Sequence, residues 1–249
     1  MFRIDINDIK TFRLVIDAIS QIIDEGAFHI TEEGIKVRAM DPPHVAMIML
    51  DLHKEAFDKY EIDEERVIGL DLERLKTILR RAQPEDLLKI ESDEKKNLFT
   101  LTFEGASRRS FTLPLLDMPE SEFKVPNLEF DAFVEIRSEV LKNAINDARI
   151  VGDLLVFEVD SEKLSMRSWG DLGELDIELD RESEGLIDLD VKKNAKSMFN
   201  VDYLQNMMVP VPTTDTVKLS LGTDLPLELR FDIPNGNITY LLAPRVESG

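Results

Sequence analysis

The fold is decided by a stretch near the beginning of the sequence, residues 27–40, which reads AFHITEEGIKVRAM. Apolar and polar residues alternate on both sides of Glu33 and Gly34, a pair that favours a tight turn. Such alternation predicts two antiparallel strands that bury one face. A third apolar run, residues 45–52, follows the proline turn at 41–43. The segment is therefore predicted to form a three-stranded meander.

A helical pattern lies on the N-terminal side of this meander. Residues 2–6 alternate as a strand does, and Asp8 then precedes an apolar stripe with helical spacing. The stripe consists of Ile9, Phe12, Val15, Ile16 and Ile19. A second helix is predicted over residues 71–81. The strands predicted after it are residues 87–91, 98–103 and 110–115. Strand, helix and further strands thus follow one another twice in the first half.

The same pattern recurs in the second half of the chain, which indicates an internal repeat. Aligning Phe28 with Phe157 brings residues of similar character together. The other matched pairs are Ile35 with Leu164, Val37 with Met166, Phe12 with Leu141, Ile16 with Ile145 and Ile19 with Ala148. The elements predicted further on are a helix over residues 200–208, strands at 216–221, 227–231 and 237–242, and a turn at 234–236.

These patterns predict an α+β protein with mostly antiparallel sheets and two similar domains. The first domain is predicted to span residues 1–116 and the second residues 132–249. Between them, residues 117–131 contain Pro119 and Pro126 among acidic residues, a composition typical of an extended connector.

Composition narrows the class of protein. Hydrophobic residues make up 43% of the 249 residues, enough for a substantial core, and no apolar run is long enough to cross a bilayer. Because the sequence has no cysteine, disulfides and thiolate metal sites are excluded. The start of the sequence lacks the apolar stretch of a secretory signal, so we expect the protein to remain intracellular. The net charge of −20 argues against nucleic acid unless basic residues cluster on one face.

Catalytic motifs are absent from the sequence. It contains three histidines, no glycine-rich phosphate loop and no nucleophile elbow. The acidic runs at residues 58–65 and 180–184 have no metal-ligand spacing and are predicted to be solvated surface. We therefore expect neither a metal nor a cofactor and no enzymatic activity. An acidic metal-dependent hydrolase remains an alternative.

Basic residues do gather on the outer faces of three predicted helices. They are Lys10 and Arg13 on the first helix, Lys76 and Arg80 on the second, and Lys142 and Arg149 on the third. The fourth helix, residues 200–208, carries no basic residue. Taken alone, such faces are also what simple solvation of amphipathic helices produces.

Two stretches resemble signatures of the proliferating cell nuclear antigen family: residues 40–45, MDPPHV, and residues 241–245, LLAPR. The resemblance extends over nearly the whole chain and favours the archaeal and eukaryotic type. It implies the DNA clamp fold, in which each domain has two strand-helix-strand units and helices line a ring of three subunits. It also implies the function of a DNA polymerase processivity factor that encircles duplex DNA without sequence specificity. A subunit of a hetero-oligomeric clamp is the closest alternative.

The resemblance also implies three sets of site residues. The six basic helix residues named above would face DNA. A pocket for partner peptides would be formed by Met40, His44, Val45, Met47, Phe123, Val125, Pro126, Pro226, Leu241, Ala243 and Pro244. Subunits would pair through edge strands around residues 110–115 and 174–179. The predicted interface residues are Arg81, Arg108, Arg109, Ser110, Phe111, Leu113, Glu139, Asp147, Glu174, Leu175, Asp176 and Ile177.

The partners implied are duplex DNA and proteins that bind by short peptide motifs. These proteins are a replicative DNA polymerase, a clamp loader, a ligase and a flap nuclease. The ring is expected to be a homotrimer with no membrane attachment. It would work in the cytoplasm or nucleoid of an archaeon or in the nucleus of a eukaryote.

Overall fold

The computed structural model describes residues 2–118, 124–212 and 215–246. The chain begins with strand β1, Phe2–Ile6, and helix α1, Ile9–Ile19, as the alternation and the apolar stripe predict. Asp8 caps this helix, since its Oδ1 accepts a hydrogen bond of 3.1 Å from the backbone N–H of Thr11. Both predictions are confirmed.

The first half continues with eight strands and one helix. They are β2 Glu25–Thr31, β3 Gly34–Met40, β4 Ala46–His53, β5 Lys59–Ile62, β6 Arg66–Asp71, α2 Leu72–Leu79, β7 Leu87–Asp93, β8 Leu98–Glu104 and β9 Arg108–Pro114. The acids of residues 58–65 are exposed, as the prediction of a solvated acidic surface requires, but strand β5 within this run, which pairs with β1, was not predicted. Its polar side chains are those of a strand at the end of a sheet, where one edge and part of one face meet water.

The second half repeats this order with small changes. Its elements are β10 Ala132–Arg137, α3 Ser138–Val151, β11 Leu154–Val159, β12 Lys163–Gly170, β13 Gly173–Asp180, β14 Leu186–Val191, β15 Ala195–Asn200, α4 Val201–Met208, β16 Thr216–Leu221, β17 Leu227–Ile233 and β18 Gly236–Leu242. The predicted helix over residues 200–208 and the last three strands are confirmed to within a few residues. Within the described part of the chain, no helix is long and apolar enough to span a membrane.

Strand register confirms the internal repeat. Phe28 of β2 lies opposite Val37 of β3, and the repeat partner Phe157 lies opposite Met166. These aromatic and aliphatic side chains are buried in both hairpins. Because a slip of one residue would turn each buried side chain to the other face, matching register means that the two hairpins are equivalent strand by strand.

The chain folds as two units. The described residues of unit 1 are 2–41, 48–118 and 232–238, and those of unit 2 are 42–47, 124–212, 215–231 and 239–246. The units differ from the predicted domains at two short segments: residues 42–47 of the first predicted domain belong to unit 2, and residues 232–238 of the second belong to unit 1. The domain bounds at residues 116 and 132 remain predictions.

Unit 1 contains a five-stranded sheet in the order β5-β1-β7-β8-β9 and a second run of strands in the order β4-β3-β2-β6. Helices α1 and α2 pack together and bury their apolar stripes. The beginning of β18 lies beside the end of β4, where the N–H of His53 donates a hydrogen bond of 2.9 Å to the carbonyl of Asn235. Strand β9 ends its sheet.

Unit 2 has strands in the order β14-β10-β16-β17-β18 and a four-stranded sheet in the order β13-β12-β11-β15. Helices α3 and α4 pack together as α1 and α2 do. The end of β18 lies beside the beginning of β4, and the N–H of Ala243 donates a hydrogen bond of 2.8 Å to the carbonyl of Val45. Strand β13 ends its sheet.

A glycine allows the chain to leave β9 close to β6. The N–H of Leu116 donates a hydrogen bond of 3.0 Å to the carbonyl of Gly69. A Cβ atom at position 69 would lie 2.3 Å from the carbonyl oxygen of Leu116, so a side chain cannot be accommodated without moving the backbone. This contact fixes the start of the predicted connector against unit 1.

The cap of α2 offers a test of the local structure. The Oδ1 atom of Asp71 accepts a hydrogen bond of 2.9 Å from the N–H of Arg74, and its Oδ2 lies 3.0 Å from the Nε of Arg74. We expect Asp71→Ala to lower the free energy of unfolding by about 1 kcal/mol, because the cap is removed. The control Asp71→Asn keeps the cap and should lose less than half as much. Chemical denaturation at one protein concentration measures both, and equal losses would contradict a capping role.

Candidate DNA-facing, partner-binding and subunit surfaces

The four residues of unit 1 predicted to face DNA lie on α1 and at or directly after α2. Lys10 and Arg80 are exposed and Arg13 is half-buried. Within the described residues, these three side chains form no hydrogen bond or ion pair. Lys76 is more constrained, because its Nζ donates a hydrogen bond of 3.3 Å to the Oγ of Ser20 and lies 2.5 Å from Glu73.

The two basic residues predicted on α3 of unit 2, Lys142 and Arg149, are held by partners inside the chain. The Nζ of Lys142 donates a hydrogen bond to the carbonyl of Val211, and burial lowers the pKa of this lysine. Arg149 donates a hydrogen bond to the Oε1 of Gln205, and its Nε lies 3.7 Å from the carboxylate of Asp202. Both cations of α3 are thus partly satisfied before any phosphate approaches.

The residues predicted to form a peptide pocket belong mainly to unit 2. Its exposed members are His44, Val125 and Pro126, and its half-buried members are Val45, Pro226, Ala243 and Pro244. The hydrogen bond between Ala243 and Val45 holds two of these segments together. His44 has a positive φ of 61°, an uncommon conformation outside glycine that directs the loop at this point.

The remaining predicted pocket residues differ in accessibility. Met47 and Leu241 are only 2% and 6% exposed, so they can contribute only to the floor beneath a bound peptide. Met40 is half-buried and belongs to unit 1. Phe123 lies outside the described residues. Val246, two residues after Pro244 in the chain, is 69% exposed and was not included in the sequence prediction.

Strand β9 presents a mixed edge. Ser110 is exposed, while Phe111 and Leu113 are half-buried, as alternation along the strand requires. Phe111 packs edge-on against the buried Phe103, with ring centroids 6.0 Å apart. One face of β9 is therefore packed through Phe111 and Leu113, one edge is hydrogen-bonded to β8, and the other edge presents a row of backbone groups.

The two arginines at the start of β9 have different roles. Arg109 pairs with the buried carboxylate of Asp86, donates a hydrogen bond of 2.9 Å to the carbonyl of Arg81, and lies 5.3 Å from the ring centroid of Phe103. Arg108 is exposed, with only a 3.6 Å contact to Glu104. Arg109 is thus committed to its own chain, whereas Arg108 and the exposed side chain of Arg81 are available to a second molecule.

Strand β13 presents acidic residues on one face. Glu174 and Asp176 are exposed, while Leu175 and Ile177 on the opposite face are half-buried. Asp176 lies 3.3 Å from Arg167, so its charge is partly compensated. On the neighbouring α3, Glu139 and Asp147 are exposed. The acids predicted for the interface therefore do lie at the surface of unit 2.

An apolar patch next to β13 was missed by the sequence prediction. Ile150, Trp169 and Leu172 are 68%, 51% and 80% exposed, which is unusual for large apolar side chains grouped on one surface. The end of α3 lies close to the β12–β13 hairpin, since a Cβ atom at Gly152 would lie 2.4 Å from the carbonyl of Trp169. In the sequence, this patch was indicated only by Ile150, an isoleucine at the end of α3 that lies outside the buried stripe of that helix.

No group of three histidine, aspartate or glutamate residues could hold a metal ion within the described ranges 2–118, 124–212 and 215–246. The surfaces that remain are basic helix faces, free sheet edges and an apolar surface beside the connector. Together they are suited to association with other macromolecules.

Comparison with known proteins shows which family has this architecture. Residues 1–123 match the family model of the proliferating cell nuclear antigen N-terminal domain, and residues 124–245 match that of its C-terminal domain. The DNA polymerase sliding clamps of Thermococcus gammatolerans and Pyrococcus furiosus are 41% and 39% identical over 247 residues, with 99% of each chain covered.

Solved structures agree with the sequence matches. Proliferating cell nuclear antigen from Thermococcus kodakaraensis superposes with a TM-score of 0.94 at 31% identity, covering 98% of this chain and 100% of that one. The protein from A. fulgidus, bound to the C-terminal region of FEN-1, superposes with a TM-score of 0.90 at 29% identity over 100% of both chains.

The two repeated units and these matches define a DNA sliding clamp. The chain belongs to the proliferating cell nuclear antigen family. It functions as a DNA polymerase processivity clamp that tethers partner proteins to DNA. The predicted fold class is thereby confirmed, while the individual site residues stay predictions.

The different partners of Arg109 and Arg108 on β9 can be tested by matched substitutions. We expect Arg109→Met to lower the free energy of unfolding by about 2–3 kcal/mol, because the buried Asp86 loses its cation. The adjacent Arg108→Met should change it by less than about 0.5 kcal/mol, since that ion pair is exposed. Chemical denaturation of both variants at one protein concentration measures the difference. Equal effects would mean that the Asp86 pair is not structural.

Proposed function

We propose that three copies of this chain close into a head-to-tail ring through β9 of one subunit and β13 of the next. The observation that supports this is that equivalent strands of the two units differ in whether their outer edge is paired with another strand. In the repeat, β13 of unit 2 corresponds to β4 of unit 1, and β9 of unit 1 corresponds to β18 of unit 2. Strand β4 has β18 beside it, whereas β9 and β13 end their sheets.

Pairing β9 with β13 of another copy would satisfy both edges in the way that β18 and β4 are satisfied. An unpaired edge offers backbone N–H and C=O groups that readily accept another strand. The contact joins different surfaces of identical subunits, so it must either close into a ring or continue as a filament. A closed ring suits a processivity clamp, because topology then retains DNA without tight binding.

Side chains beside the two edges support this contact. The exposed Ile150, Trp169 and Leu172 adjoin β13, and apolar surface of this kind is what subunit contacts cover. Basic groups at β9 and acidic groups at β13 have opposite signs, which favours association in one orientation. Related chains with equivalent edges could enter the same ring, so a hetero-oligomeric clamp would use the same contact.

Charge reversal tests the ring contact. We expect Arg81→Glu to raise the concentration needed for trimer formation by about tenfold, because repulsion replaces attraction across the seam. Lys95→Glu, an equal change at an exposed residue elsewhere in unit 1, should leave assembly unaltered. Light scattering over a dilution series provides the measurement.

A charge swap makes this test specific to the two edges. Adding Glu174→Arg to Arg81→Glu should restore assembly at least in part, since opposite charges would again face each other. A trimer that is insensitive to Arg81→Glu would move the contact away from these strands.

The ring would hold duplex DNA through weak phosphate contacts by the helices, without reading bases. No enzymatic activity is required for this role, because the topological link itself retains the DNA. The hydrolase alternative has no support among the described residues, which contain no group of metal-ligating side chains. We expect the protein to work where the chromosome lies, which in an archaeal cell is the cytoplasm.

Partner proteins would dock a short peptide on the apolar surface of unit 2. The exposed Val125 and the half-buried Pro244 offer an apolar anchor site, while the exposed segment 124–127 offers backbone groups for pairing. The A. fulgidus structure carries the C-terminal region of a nuclease, FEN-1, which is consistent with peptide docking in this family. A replicative polymerase, a clamp loader and a ligase would bind through similar peptides.

Calorimetry tests the docking surface. We expect Val125→Ala combined with Pro244→Ala to weaken a peptide that carries a glutamine, an aliphatic and two aromatic residues by about 1 kcal/mol or more. Ile187→Ala, which truncates a comparably exposed apolar residue on β14, is the control. Unchanged affinity in a folded, trimeric double variant would place the peptide elsewhere.

A further inference from the structure

The two helix pairs of each subunit differ in charge. In unit 1, α1 carries two basic residues and one acidic residue, and α2 with the two residues after it carries four basic residues and one acidic residue. In unit 2, α3 carries two of each sign, and α4 carries one acidic and no basic residue. Basic residues are thus in excess on one pair only.

The cations of the unit 1 helices are also more available to a phosphate than those of the unit 2 helices. Lys10 and Arg80 of unit 1 are exposed and have no ionic partner among the described residues. Their side chains can follow a moving phosphate at little cost, since no interaction within the chain must be broken.

The cations of unit 2 must exchange one partner for another. Arg149 lies against Asp202 and Gln205, and Lys142 is bonded to the carbonyl of Val211. A phosphate that approaches Arg149 also meets the exposed carboxylate of Asp202, which repels it. The attraction of this helix pair for DNA is reduced on both counts.

Screening makes the local charge decisive. At physiological ionic strength the Debye length is about 8 Å, so a phosphate responds mainly to the charged groups nearest to it. A phosphate that approaches α3 and α4 therefore responds most strongly to the acidic groups beside those helices.

We infer that phosphodiester groups of duplex DNA are bound mainly by the helix pair of unit 1, through Lys10, Arg13 and Arg80, and that the helix pair of unit 2 is a nearly neutral surface past which DNA moves. This inference rests on the proposed ring. It assigns the phosphate contacts to one half of each subunit instead of distributing them among all basic helix residues.

Three matched double variants test the inference, each removing two positive charges per subunit. The first is Lys10→Gln with Arg80→Gln, the second Lys142→Gln with Arg149→Gln, and the third, a control for total charge, Lys95→Gln with Lys193→Gln. Light scattering and circular dichroism establish that each is folded and trimeric. Fluorescence anisotropy of a short labelled duplex, over a range of NaCl concentrations, gives the slope of log affinity against log salt.

Removing one cation that binds a phosphate should reduce the magnitude of this slope by about 0.9. We expect the first variant to reduce it by about 2 or more for the ring, and the second and third to leave it close to the wild-type value. A fourth variant, Asp202→Asn, removes the carboxylate beside Arg149 and should strengthen binding about two- to fivefold. Equal reductions in the first and second variants, or a larger one in the second, would overturn the inference.

Failure of the inference can be distinguished from failure of the proposed ring. The wild-type ring, loaded on nicked circular DNA, should be retained and should dissociate when the circle is cut. If it is retained and the first two variants behave alike, the ring stands and the assignment of phosphate contacts falls. If wild-type protein is not retained on the circle, the proposed ring itself is wrong.

Discussion

The structure depends on one constraint, which is that every β-strand edge must find a partner or meet water. Strands β4 and β18 meet this requirement inside the chain, with hydrogen bonds of 2.9 Å from His53 to Asn235 and 2.8 Å from Ala243 to Val45. Their repeat counterparts β13 and β9 end their sheets. A repeat that satisfies one pair of edges and leaves the equivalent pair open is suited to association with further copies of itself.

The acidic composition and the DNA-binding role follow from the same arrangement. Because a closed ring holds DNA by topology, phosphate contacts need only be weak, and few free cations are required. The protein can therefore carry a net charge of −20 while Lys10 and Arg80, at the helix surface of unit 1, have no ionic partner among the described residues. The remaining acidic surface would keep DNA away from other faces of the ring.

Local patterns in the sequence were sufficient for most elements. The apolar stripe of α1, its cap at Asp8 and the register of Phe28 and Phe157 follow from periodicity and turn chemistry. Strand β5 was not predictable, since at a sheet end its polar residues resemble those of a loop. The commitment of Arg109 to Asp86 was also hidden, because it joins residues that are distant in sequence. Met47 is buried and Val125 is exposed, which agrees with the apolar run 45–52 and the predicted connector in which they lie.

Hydrogen exchange of edge-strand amides, measured above and below the concentration of assembly, tests the central claim most directly. Strands β5 and β14, which also end sheets, provide controls within the same molecule. The account predicts that amides of β9 and β13 are protected in the assembled protein and lose protection together on dilution, while β5 and β14 exchange at unchanged rates. If β9 and β13 exchange as fast as the control edges in the assembled protein, subunits do not pair through these strands.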